Sequence, residues 1–242
     1  MAVWPPTVPA VKFDVMGIPV TIKWSFWPVA LLIVPLPYSL LLRPRAWSFV
    51  AVWLGVVLVT VLVHEMAHAV SARRAGADTS ITLYFLGGFT KWESNGIGHG
   101  QRAWVAASGS LAGFAMGGAA WLLLESGAIG AQSTLLVFGL DNFWYVNLVW
   151  GALNWIPVRP LDGGHILLNA MSAALGDRGR RLADVVFPVV TVIAGTAALL
   201  AGLYVAVAFA LLVLVAEVEV WRGRNLVPES EDVGGPEEQE VG

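Results

Sequence analysis

Residues 64–68 read His64-Glu65-Met66-Ala67-His68, two imidazoles four positions apart with a carboxylate beside the first. On an α-helix such positions stack on one face, so both imidazoles can reach one metal ion. A carboxylate one step round the helix can take a proton from a metal-bound water, the chemistry of zinc-dependent hydrolysis. The motif lies within an apolar stretch of transmembrane length. Ionisable groups in hydrocarbon are costly, so three within five residues call for a functional explanation. The pattern points to hydrolysis inside a membrane.

Two imidazoles do not complete a catalytic zinc site, which usually has three protein ligands and a water. The best third ligand is Asp162, in the run Asn154-Trp155-Ile156-Pro157-Val158-Arg159-Pro160-Leu161-Asp162-Gly163-Gly164-His165. Pro157 and Pro160 oppose a regular helix, and Gly163-Gly164 permits close backbone approach. Non-helical backbone at membrane depth is tolerated where it is buried in protein or lines a wet cavity, a setting in which a carboxylate can meet a metal. The simpler alternative is that Asp162 caps the helix beginning at Gly163.

The elements that must position these groups are apolar helices. The chain is 57% hydrophobic and 13% charged, with a mean hydropathy of +0.71, beyond what a soluble core needs. The reading is an all-α polytopic membrane protein of about six spans: residues 24–42, kinked by Pro28, Pro35 and Pro37; 47–72; 103–124; 135–156; and two from 182–221. The last stretch would form a rod of about 60 Å, twice the thickness of a bilayer core, so it should fold back near Gly202. Thr79 to Thr90 alternates and contains Gly87-Gly88, which predicts a short hairpin between the second and third spans. Gly109, Gly113 and Gly117 recur every four residues on the third span and predict close packing against the second. The expected organisation is an amino-terminal cytoplasmic segment at 1–23, a membrane domain at 24–222 with a catalytic core near 47–175, and an acidic, disordered tail at 223–242.

Charge orients the bundle. With a cytoplasmic amino-terminus, six spans place twelve of the fourteen Lys and Arg inside and only Arg43 and Arg45 outside, as the positive-inside rule favours. Both termini are then cytoplasmic, in a multi-pass protein of the cell membrane. Pro5, Pro6 and Pro9 stand where a signal peptide would have its apolar run, so no cleaved signal is expected. The net charge of −3 reflects six acids after Val227, and no basic tract suggests nucleic acid. With no cysteine, disulfides are excluded.

His64-Glu65-Met66-Ala67-His68 together with Asn154-x-x-Pro157-x-x-Pro160-Leu161-Asp162-Gly163 resembles the paired signature of the site-2 proteases, the zinc metalloproteases of regulated intramembrane proteolysis. Phe13-x-x-x-Gly17-Ile18-Pro19-Val20, leading into Trp24-Ser25-Phe26, is similar to that family's amino-terminal segment. The resemblance covers roughly residues 11–170. It implies one zinc per chain on His64, His68 and Asp162, with Glu65 as base and Asn154 as a substrate-binding or oxyanion-stabilising donor. It also implies a transmembrane protein substrate, shortened beforehand by another protease, and a hairpin edge around Gly87 and Gly88 that holds unwound substrate. Ser108-Gly109-Ser110-Leu111-Ala112-Gly113 departs from the pattern, since many relatives have Gly-Pro and a later Asn there. An inserted PDZ module and a carboxy-terminal CBS pair are not expected, so the chain reads as a minimal member.

Two other functions fit the residues taken alone. A prenyl-protein (CAAX) processing protease of the membrane also uses His-Glu-x-x-His, usually with a downstream Glu as third ligand. A membrane scaffold or transporter could carry an inert metal site, although such a site needs no base like Glu65. His99 reads as a loop residue and His165 as a neighbour of the site rather than a ligand. Asp141, Asn142 and Asn147 read as span-end or helix-contact groups, and Glu217 and Glu219 as partners for Arg222 or Arg224.

Overall fold

The computed structural model describes residues 9–35, 44, 46–85, 87–93, 96–130 and 134–221. Arg43, Arg45, Arg222, Arg224 and the tail at 223–242 lie outside the described residues, as does most of the second half of the expected first span. Contacts divide the chain into one unit up to Val190 and another from Thr191.

The first unit begins with strands β1 (Ala10–Val15) and β2 (Ile18–Lys23), paired antiparallel with Val15 opposite Ile18. Met16 and Gly17 make the two-residue turn, at φ 53° and 74°. Positive φ at both central positions matches the right-handed twist of a hairpin, and glycine takes it without strain. Helix α1 (Phe26–Leu32) follows. The expected kinked span from residue 24 is thus, within the described residues, a seven-residue helix. Pro28 lies in its first turn, where a missing N–H costs nothing.

Helix α2 (Ala46–Arg74) carries the His-Glu motif and is 29 residues long, about 43 Å at 1.5 Å per residue. Gly76, at φ 94°, lies in the turn that ends it. Strands β3 (Thr79–Tyr84) and β4 (Gly87–Trp92) then form the expected hairpin, with Tyr84 opposite Gly87. The reading of the chain as all-α is corrected here. β3 also pairs parallel with β2, Thr21 opposite Thr82, giving a four-stranded sheet of order β1-β2-β3-β4. Parallel neighbours need a long crossover, and residues 24–78, with α1 and α2, supply it.

That crossover lays the sheet on the metal-motif helix. Ile18, Val20 and Ile22 of β2 and Ile81 and Leu83 of β3 are buried in one cluster with Phe26, Val57, Val61 and Ala69. Alternate residues of each strand share a face, so these five side chains cover α2 while Pro19 and Lys23 face out. Arg73 in the last turn of α2 locks the other end of the sheet, donating to the carbonyls of Met16 and Gly17 at 3.2 and 2.8 Å.

Helices α3 (His99–Glu125) and α4 (Thr134–Asn154) complete the surroundings of the site. The glycine face of α3 is shared between two neighbours, not devoted to the second span. A Cβ at Gly109 would strike His64 and His68 of α2, whereas Gly113 and Gly117 abut Asn147 and Trp144 of α4. Asn147, fully buried, donates to Thr60 Oγ1 of α2 at 3.0 Å, a helix-to-helix role of the kind expected. After α4 the chain breaks over residues 155–161 and resumes as α5 (Asp162–Leu175). Gly163 and Gly164 allow that turn to close, since a Cβ on either would meet the backbone of Trp155, Ile156 or Val158. Helix α6 (Asp177–Leu200) starts in this unit, where Asp184 accepts from Arg159 at 2.9 Å.

In the second unit the end of α6 turns through Ala201 and Gly202, at φ 70°, into α7 (Tyr204–Trp221). The predicted fold-back at Gly202 is therefore present. Thr191 donates to the buried carboxylate of Glu217 at 3.2 Å. Among the described residues α2, α3 and α6 are long and apolar enough to cross a membrane.

Candidate metal centre

α2 places His64 and His68 one turn apart, their rings edge-to-face with centroids 4.7 Å apart. The broken segment after α4 brings Asp162, the first residue of α5, to meet them. His64 Nε2 lies 3.3 Å from Asp162 Oδ2, His68 Nε2 lies 3.3 Å from Asp162 Oδ1, and the two Nε2 atoms are 3.0 Å apart. One ligand atom from each residue falls within 4.8 Å of the others.

The donor set fits a cation. A carboxylate and two imidazole nitrogens turned toward one point repel unless positive charge sits between them. Ligands arranged tetrahedrally about 2.0–2.1 Å from zinc lie roughly 3.3 Å from one another, close to the spacing here. His68 is oriented for the task. Its Nδ1 is 2.7 Å from the carbonyl of Val105, which can only accept, so the hydrogen sits on Nδ1 and the Nε2 lone pair is left for a metal.

The groups around the ligands come from three helices. Ser110, with no exposure, donates to Asp162 Oδ2 at 3.3 Å. Asn154, the last residue of α4, has its Nδ2 3.3 Å from His64 Nε2. Gly109 lies beneath both imidazoles, and its lack of a side chain is what lets α3 come this close. Glu65 is 7% exposed and turns toward β4. There Thr90 Oγ1 donates to Glu65 Oε2 at 2.6 Å, and Gly88 packs against the Glu65 side chain with no room for a Cβ. Tyr84 of β3 feels the same site, its phenol raised from the ordinary value by burial and by the charge of Glu65.

The structure thus gathers His64, His68, Asp162 and Asn154 at one place, with Glu65 between the two imidazoles in sequence and Gly88 upon it. Gly87, with φ 116°, opens β4 and lines an apolar cavity with Tyr84, Phe85, Val57, Val61 and Val146. His165 is not part of the ligand cluster. His99, expected in a loop, is the first residue of α3 and bonds Asn169 of α5 at 3.1 Å. Val105, Ser110 and Thr90 carry no site role in the reading of the sequence. The available signal for Ser110 was a serine pair around a glycine in an apolar span. For Thr90 there was none, since threonine is an ordinary strand former.

The architecture sets a metal-competent helix under a small sheet, with a carboxylate on a helix break. The fold is that of a site-2 protease. It matches the solved site-2 protease from Methanocaldococcus jannaschii with a TM-score of 0.62 and 22% identity, over 94% of this chain and all of that one. In sequence the chain is 27% identical over 165 residues to the zinc metalloprotease MJ0392 of the same organism, covering 68% of this chain and 46% of that protein. It is 32% identical over 126 residues to Rip3 of Mycobacterium tuberculosis, provisionally named a zinc metalloprotease, covering 51% of this chain and 32% of that protein. The chain therefore spans 32% to 46% of the length of these curated relatives. No family model matches it. The resemblance read from the paired motifs holds in both fold and sequence.

Proposed function

We propose that this chain is a zinc-dependent intramembrane protease that cleaves peptide bonds within or near the transmembrane segments of membrane proteins. The observation that carries the reading is the convergence of Asp162, within 4.8 Å, on His64 and His68 of a helix apolar enough to cross a membrane. The fold and the names of the relatives support it.

Zinc held by these three residues would supply a Lewis acid and a water ionisable near neutral pH. The chain supplies the rest. Glu65 receives a proton at its carboxylate and later delivers it to the leaving amine. Asn154, on the His64 side of the cluster, donates through Nδ2 to the oxyanion as charge develops. A substrate helix hides its carbonyls in its own hydrogen bonds, so it must unwind before one is reached. β4 stands at the edge of the sheet with Gly88 against Glu65, and its main chain, from Gly87 on, can hold an unwound segment as an added strand. Substrates should therefore carry helix-weakening residues near the cleavage point and should have been shortened already by another protease.

The chain would cross the membrane about six times over residues 24–222, with both termini cytoplasmic, as the distribution of Lys and Arg favours. The test is incubation of purified protein with a single-span substrate, with and without a zinc chelator. Cleavage that stops with chelator and returns with zinc is expected. Cleavage indifferent to chelator would reject the reading.

A further inference from the structure

We propose that Thr90 is a positioning residue that holds Glu65 through Oε2 and couples that carboxylate to strand β4. The inference rests on the reading of Glu65 as the base. Thr90 Oγ1 stands 2.6 Å from Glu65 Oε2 and 3.1 Å from the Glu65 carbonyl oxygen. A hydroxyl has one hydrogen to give. The shorter contact is the stronger, so Oε2 is taken.

The other oxygen meets the same strand. Oε1 lies against Gly88, at a position where any Cβ would collide with it. Gly88 and Thr90 are alternate residues of β4 and so face the same side, while Phe89 between them is half exposed on the other. One strand thus holds Oε2 with a hydroxyl and makes room for the rest of the carboxylate with a glycine. A segment paired to the outer edge of β4 would steady the strand that carries Thr90, so holding substrate and aligning the base are joined through one hydrogen bond.

Thr90→Val removes the hydroxyl at nearly constant shape, and Thr90→Ser keeps it. Steady-state cleavage of a single-span substrate, zinc content, and thermal unfolding of the metal-free protein would be compared in both. For Thr90→Val a fall in kcat of about 10–100-fold is expected, the usual consequence of a slightly misplaced catalytic group. KM should stay within about twofold and zinc at one per chain, and Thr90→Ser should recover most of kcat. In metal-free protein the Tm shifts of Thr90→Val and Glu65→Ala should be non-additive, as for two groups in contact. An unchanged kcat, a loss confined to KM, loss of zinc, a serine variant no better than valine, or additive Tm shifts would overturn the inference. Failure of the protease reading would show separately, as chelator-resistant cleavage or an active Glu65→Gln variant, while the Tm cycle needs no catalysis.

Discussion

Two carboxylates in this molecule are equally buried and each accepts from a threonine hydroxyl, yet of the two it is Glu65 that adjoins the metal-competent cluster. Glu65 and Glu217 are each 7% exposed, and each accepts from a threonine hydroxyl, Thr90 at 2.6 Å and Thr191 at 3.2 Å. Glu217 belongs to a pair of antiparallel apolar helices, and its bond to Thr191 satisfies a polar group within them. Glu65 instead follows His64, whose Nε2 is one of three ligand atoms turned to one point. Burial of an acid in an apolar setting raises the prior for function, but convergent donors decide it. The two regions also differ in construction. α6 and α7 meet through a single turn at Gly202, a local fold. The site around Glu65 draws on α2, α3, α4, α5 and β4, none of which could make it alone.

This contrast makes graded predictions. Glu65→Gln should reduce cleavage by about 10³-fold or more, because the amide cannot take the proton that the carboxylate takes. Zinc content should remain at one per chain, and an active variant would remove Glu65 from the role of base. Gly109→Ala should come next. Its Cβ would press on both imidazoles, so zinc affinity in chelator competition should fall by about 10–100-fold, as for other disturbances around metal ligands. An unaffected affinity would mean that α3 does not press on the ligands. Ser110→Ala, which removes one hydrogen bond to Asp162, should weaken zinc by about tenfold with little change in Tm. Thr191→Val should do least. A Tm drop of a few degrees with unchanged kcat is expected, since the partner it deprives is Glu217. A large activity loss there would erase the distinction between the two carboxylates.

How far the sequence alone foretold this arrangement depends on how local each feature is. His64 and His68 share a face because helical geometry requires it, and Asp162 announced itself through the prolines and glycines that break the helix around it. The fold-back at Gly202 followed from simple length. Half of the sheet did not show. β1 is exposed along almost its whole length, so its alternation marks no core, and β2 pairs with a strand some sixty residues later. Register across such a crossover is set by tertiary packing, which no local pattern records. The glycines of α3 were legible as a close-packing face, but which glycine meets which helix depends on the crossing of α2 and α4. Thr90 is the clearest case. Its type is explained by strand propensity, and only the placement of β4 over α2 reveals what its hydroxyl touches.

The central claim is that Asp162 completes a metal site begun by two imidazoles nearly a hundred residues earlier. Zinc stoichiometry and affinity of Asp162→Ala, measured by chelator competition beside the unaltered protein, test it most directly. One tightly held zinc per chain in the unaltered protein and none held tightly in the variant is the predicted result. A variant that binds zinc one-to-one with unchanged affinity would contradict it.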